Sequence, residues 1–133
     1  MAFGVATVST NKMKAMLADR LQGTPATYTV APKFIGMGTG ATGAARTAAV
    51  GDTALTSEVD TRATGTESIV TTSVTGDTYQ VQGTITAGAN RAVDEAATFD
   101  ASSSGHIGIS ATLNVINVPS GSSIQFTFQE QLT

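Results

Sequence analysis

Three stretches of this chain place an apolar side chain at every second position. Tyr79, Val81 and Ile85 alternate with Gln80, Gln82, Thr84 and Thr86. Ile107, Ile109, Ala111, Leu113 and Val115 share one side of a longer run. Ile124, Phe126 and Phe128 alternate with Gln125, Thr127 and Gln129. A period of 3.6 would scatter each set around a helix, whereas a strand puts each set on one face, so the pattern means half-buried β-strands. Turn signals lie between them: Gly76-Asp77, Gly88-Ala89-Asn90, Ala101 to Gly105, and Pro119-Ser120-Gly121. Strands are expected over 68–75, 78–86, 93–100, 106–118 and 122–130, the first two joined as a hairpin at Gly76-Asp77. A parallel sheet would need crossover helices, for which the spacing leaves no room. The expected fold class is all-β: an antiparallel, jelly-roll-like β-sandwich with one short N-terminal helix.

Composition points the same way. Threonine is the commonest residue at 23 positions, and 41% of residues are hydrophobic, which suits packed strands and not disorder. A length of 133 residues fits a single domain, divided here into an N-terminal arm with the helix (1–24), an edge strand with a long Gly/Thr/Ala loop (25–67) and the main sandwich (68–133). There is no cysteine, which excludes disulfides, thiolate metal sites and cysteine nucleophiles. Only 13% of residues are charged, with a net charge of −3, so the chain lacks the basic surface that phosphate neutralisation requires and no nucleic-acid partner is expected. No run reaches the length of a membrane span, so no membrane partner is expected either.

The first part of the chain holds the one expected helix. Met13, Met16, Leu17 and Leu21 fall at helical spacing over 11–22, with Ser9, Thr10 or Asn11 as N-cap and Gly23 as stop. Such a short amphipathic helix must dock on something, either its own sheet or a neighbouring subunit. Beyond it, Tyr28, Val30 and Phe34-Ile35 read as a strand interrupted by Pro32, which predicts an edge strand or a bend. Repeated glycine from Gly36 to Gly43 then predicts an irregular loop reaching Thr66, with one helical turn around Ala44 to Val50.

Groups able to do chemistry are sparse. Gly38-x-Gly40-x-x-Gly43 follows a strand and Glu58 lies twenty positions after Gly38, which on paper is a dinucleotide fingerprint. It does not open a helix of a βαβ unit, so no cofactor is expected. His106 is the one imidazole, and its place beside a Ser/Gly turn reads as a surface or strand-edge position. Asp94 and Glu95 are strand neighbours whose side chains should point to opposite faces and so form no acid–base pair. Asp52, Asp77 and Asp100 sit in turns, where Asp favours local backbone hydrogen bonds. No catalytic residue, metal site or small-molecule substrate is expected, and the chain does not read as an enzyme.

Several motifs resemble those of bacteriophage virion structural β-proteins. They are the run Lys33 to Gly40 (Lys-Phe-Ile-Gly-Met-Gly-Thr-Gly), Asp52-Thr-Ala-Leu55, Glu58 and Arg62 in the first half. In the second half they are Glu95, Phe99 to Gly105, Ala111 to Val118 and Gly121 to Phe128. The resemblance implies a non-enzymatic head decoration (cement) protein on the capsid exterior, assembled in the host cytoplasm. Its partner would be the major capsid protein, and it would act as a homotrimer bridging neighbouring shell subunits. A tail or collar fibre, or another receptor-facing virion module, is the alternative it implies. Contacts are then expected from the N-terminal segment and the long loop, at Phe3, Val5, Met13, Leu17, Met37, Thr39 and Leu55.

Overall fold

In the computed structural model of the chain, residues 4–23, 27–41 and 46–133 are described. Those residues form, in order, β1 (Gly4–Ser9), α1 (Asn11–Leu21), β2 (Phe34–Gly38), β3 (Glu58–Thr64), β4 (Thr66–Val70), β5 (Thr78–Thr86), β6 (Arg91–Phe99), β7 (Ile107–Val118) and β8 (Ser123–Gln131). Sheet A has the order β1-β7-β6-β2-β3 and sheet B the order β4-β5-β8. All the strand pairs are antiparallel. The alternation in the sequence thus yields an antiparallel sandwich with one short N-terminal helix.

The apolar sets meet between the sheets. From sheet B, Val81, Ile85, Phe126 and Phe128 face Ile35, Met37, Val93, Ala96, Ile109 and Ala111 of sheet A in one buried cluster. β5 and β8 keep an unbroken register from Thr78↔Gln131 to Thr86↔Ser123, so the period of two never slips between them. The chain passes from sheet A to sheet B at Gly65, between β3 and β4. A Cβ there would lie 2.4 Å from the Val81 side chain and 2.8 Å from the Lys33 carbonyl oxygen, so only glycine turns this corner without displacing the core.

The N-terminal segment is built into the sandwich. β1 pairs with β7 from Ser9↔Ile109 to Gly4↔Leu113. Thr10 caps α1: its Oγ1 accepts from the Met13 N–H and donates to the Ile107 carbonyl, tying the helix to β7. Met13 and Met16 are buried, and burying each side chain stabilises the fold by roughly 1.5–3 kcal/mol. Of the two dockings open to the helix, the one observed is on its own sandwich.

Several expectations are corrected. Gly36 to Gly38 lies in β2, a strand with partners on both sides, and not in a loop. Glu58 to Thr66, also expected as loop, supplies β3 and the start of β4. Residues 46–50 contain no helical turn. Pro32 marks a bend before β2, and β2 is not an edge strand. The hairpin β4–β5 forms as expected, but β4 ends at Val70, because the Asp77 carboxylate gathers the N–H groups of Thr72, Ser73 and Val74 into the turn.

Candidate functional site

The face of sheet A turned away from sheet B is not bare. The segment from Thr39 to Ser57, where described, lies across it as a third layer. Directly opposed residues of adjacent strands share a face, so Phe34 with Phe99, Gly36 with Ala97 and Gly38 with Glu95 all belong to this outer side. Leu55, Ala97, Phe99 and Ile107 make a second buried cluster there, with Phe34 packed against it. The glycines explain the close approach. A Cβ on Gly38 would lie 2.5 Å from Glu95 Oε1 and 2.7 Å from the Ser57 carbonyl oxygen, and one on Gly40 would lie 2.6 Å from Thr56 Cβ. Gly38 and Gly40, the described glycines of the run that imitates a dinucleotide motif, therefore make room for the chain's own backbone.

Buried carboxylates hold this layer down. Glu95 is fully buried; its Oε1 accepts from Ser57 N–H at 2.8 Å, and its Oε2 accepts from Thr56 N–H and from Arg46 Nη2, each at 3.1 Å. Asp94 Oδ1 accepts from Ala41 N–H at 2.9 Å. The register shifts between Val93 and Glu95, and both neighbouring carboxylates reach the same segment. The expectation that the two side chains point to opposite faces is corrected by this irregularity. Asp52 Oδ2 accepts from Ser110 Oγ at 2.6 Å, Arg46 Nη1 at 3.0 Å and Ala49 N–H at 3.1 Å. Burial opposes ionisation of Asp52, but these bonds, from Ser110, Ala49 and Arg46, outweigh it and hold its carboxyl below the usual range.

A second charged group closes the far side. Arg62 grips Glu58 through Nε at 2.6 Å and Nη2 at 3.0 Å, and its guanidinium lies 3.4 Å above the Phe99 ring centroid. Its Nη1 donates to the carbonyls of Ala101 and Ser104, fixing the loop after β6. Asp100 closes the same loop, accepting from His106 N–H at 2.6 Å and lying 2.8 Å from His106 Nδ1. His106 is exposed and immediately precedes β7. In β3, Asp60 has φ +62°, and its carboxylate takes Arg91 Nε and Nη2 and the Gly88 N–H; the Arg91 bonds chiefly hold its carboxyl below the usual range.

The residues expected to make contacts divide sharply. Met13, Met37 and Leu55 are buried within the chain's own packing, so in this conformation no partner reaches them. Leu17 is partly buried against the main core, and Thr39 is partly buried with its N–H bonded to the Ser57 carbonyl. Val5 lies in β1, where its backbone alone is described, and Phe3 lies outside the described residues. The sequence reading missed Arg46 and the roles of Asp94 and Glu95. Their one signal was placement: two adjacent acids inside an apolar run need partners.

No family model, curated protein or solved structure matches this chain.

Asp52, Glu58, Asp60, Glu95 and Asp100 each meet a cationic or imidazole group from the chain itself. A depression of about 370 Å³ lined by Glu58, Thr61, Arg62 and Ser102 to Ser104 presents a guanidinium already bonded on three nitrogens. Such groups fasten backbone.

Proposed function

We propose that this chain is a structural, non-enzymatic protein of a phage-type particle: a decoration protein that binds the outside of an assembled head and bridges neighbouring major capsid proteins. One observation carries the reading. The buried Glu95 carboxylate and its neighbours are spent on fixing a backbone layer to sheet A, which makes for a stiff body. Stiffness suits a protein whose role is to bind a preformed surface, since little freedom is lost on docking. A ligand of the assembled shell stabilises it by mass action when it binds assembled and not free subunits. Three linked copies, each with modest contacts, then hold through effective concentration. The low share of charged residues lets copies and shell lie close with little repulsion.

Quantitative mass spectrometry of purified particles carrying this chain tests the reading. Copy number should be comparable with that of the shell subunit, and the purified protein should sediment with shells but not with unassembled subunits. A handful of copies per particle, or equal binding to free subunits, overturns it, and the former outcome favours a tail or collar module.

A further inference from the structure

Among the described residues the two sheets end in four edge strands, β1, β3, β4 and β8. An exposed edge invites pairing with another chain, and folds blunt it by brevity, bulges, proline or charge. Three of these edges are blunted. The register of β1 shifts between Gly4 and Ala6. That of β3 shifts between Val59 and Ala63, where Asp60 takes a φ of +62°. β4 has only five residues and carries Glu67, paired with Lys33. β8 differs from all three. It runs for nine residues in unbroken register with β5, without proline, glycine, lysine or arginine, and its one charge is Glu130. Among the described residues it pairs with β5 alone.

The bonds to β5 set what the free edge of β8 offers. At one end the Leu132 N–H donates to the Asp77 carbonyl, and at the other the Ala87 N–H donates to the Ser122 carbonyl. Hydrogen-bonded positions alternate along an antiparallel pair. Ile124, Phe126, Phe128 and Glu130 therefore turn their backbone groups to β5, and Ser123, Gln125, Thr127, Gln129 and Gln131 turn theirs outward. The sequence says what pairs with them. Gln125-Phe126-Thr127-Phe128-Gln129 reads the same in both directions. Two copies laid antiparallel about Thr127 set Gln125 against Gln129 of the second copy, Ser123 against its Gln131 and Phe126 against its Phe128. Each outward-turned residue then meets another, a match that a slip of one residue destroys. On the exposed side Gln82 already donates to Thr127, and Gln129 to Gln80. A glutamine amide both donates and accepts, so Gln–Gln pairs carry that ladder across the junction. Glu130 falls opposite Ile124 of the second copy, so like charges do not meet.

We infer that two copies of this chain join edge to edge through β8, forming one sheet continuous across a twofold axis at Thr127. The contact is separate from the three-copy linkage proposed above, and its test needs no shell, so either can fail alone. Sedimentation velocity on the purified full chain should show a concentration-dependent dimer. The chain has no cysteine, so single introduced cysteines report the register. Opposed residues of a hydrogen-bonded pair have Cα atoms about 5.5 Å apart, within disulfide reach. Thr127→Cys should therefore give a covalent dimer on mild oxidation. Gln125→Cys, about 14 Å from its own counterpart, should do so only when mixed with Gln129→Cys. Thr127→Pro removes an N–H that points to the open edge, and it should weaken the dimer by about tenfold or more while the strand-type circular dichroism is retained. A chain that stays monomeric at its solubility limit, which would assign the edge to a strand of another protein, overturns the inference. So do Thr127→Cys dimers no more abundant than Gln125→Cys ones, or association indifferent to Thr127→Pro.

Discussion

The two outer faces of the sandwich are made from strands of one chain, yet they are finished in opposite ways. Beyond sheet B, Gln82 meets Thr127, Gln80 meets Gln129 and Thr86 meets Ser123, a neutral ladder open to solvent. Beyond sheet A, glycines and buried acids replace the ladder, and a segment of backbone lies on top. The comparison teaches what a sheet needs in order to accept an irregular cover. Cross-strand amides and hydroxyls satisfy one another and leave nothing to bind a loop. A loop brings unpaired N–H groups, and a buried carboxylate supplies several acceptor sites at once.

The largest effect should come from removing that acceptor. Glu95→Ala takes away one of the two carboxylates that hold Arg46 and the acceptor of two backbone N–H groups, and breaking a buried charged pair costs about 3–5 kcal/mol. Urea unfolding should show that loss, and limited proteolysis should cut within 39–57 before the strands; an unchanged cleavage pattern would break the comparison. Gly38→Ala comes next, at about 1–3 kcal/mol, because the added carbon meets the Ser57 carbonyl as well as Glu95. Gly51→Ala, with nothing within 4 Å, serves as its control. On sheet B, Gln82→Ala should change stability by no more than about 0.5 kcal/mol, as exposed substitutions usually do. A large loss there would mean the neutral face is covered too.

Acid should act on the charged turns before the ladder. Asp52, Asp60 and Asp77 all hold carboxyls below the ordinary range, Asp77 chiefly through the Val74 and Thr72 N–H groups. A depressed folded-state value means stability present above the unfolded value near 4 and lost as pH falls through the folded one. The melting temperature should be flat from about pH 7 to 5 and fall below about pH 4. A rise on acidification would contradict these assignments.

How much of this was legible follows from what each residue answers to. β5 and β8 were readable because one buried face and one wet face impose a period of two on each strand. β6 was harder: both its faces are covered, so Val93 to Phe99 shows no clean alternation. β2 was read only as far as Ile35, and β3 was missed, for a different reason. Gly36 and Gly38 have poor strand propensity, and they are tolerated because Glu58 and Glu95 fill the space where their side chains would be. The contact residues expected in the N-terminal segment and the long loop fell partly on the core, since Met13, Met37 and Leu55 look alike whether they face a partner or the chain itself.

By itself, then, the sequence determined the strand-rich class, the helix with a cap among Ser9, Thr10 and Asn11, and the turns at Gly76-Asp77 and Pro119-Gly121, because these depend on neighbours within a few positions. Tertiary structure alone decided that the glycine-rich stretch would enter a sheet and that Arg46, Asp52, Asp94 and Glu95 would join into one fastening. Their partners lie as far as 58 positions apart in the chain, as Ser110 does from Asp52, and only folding brings such groups within hydrogen-bond reach.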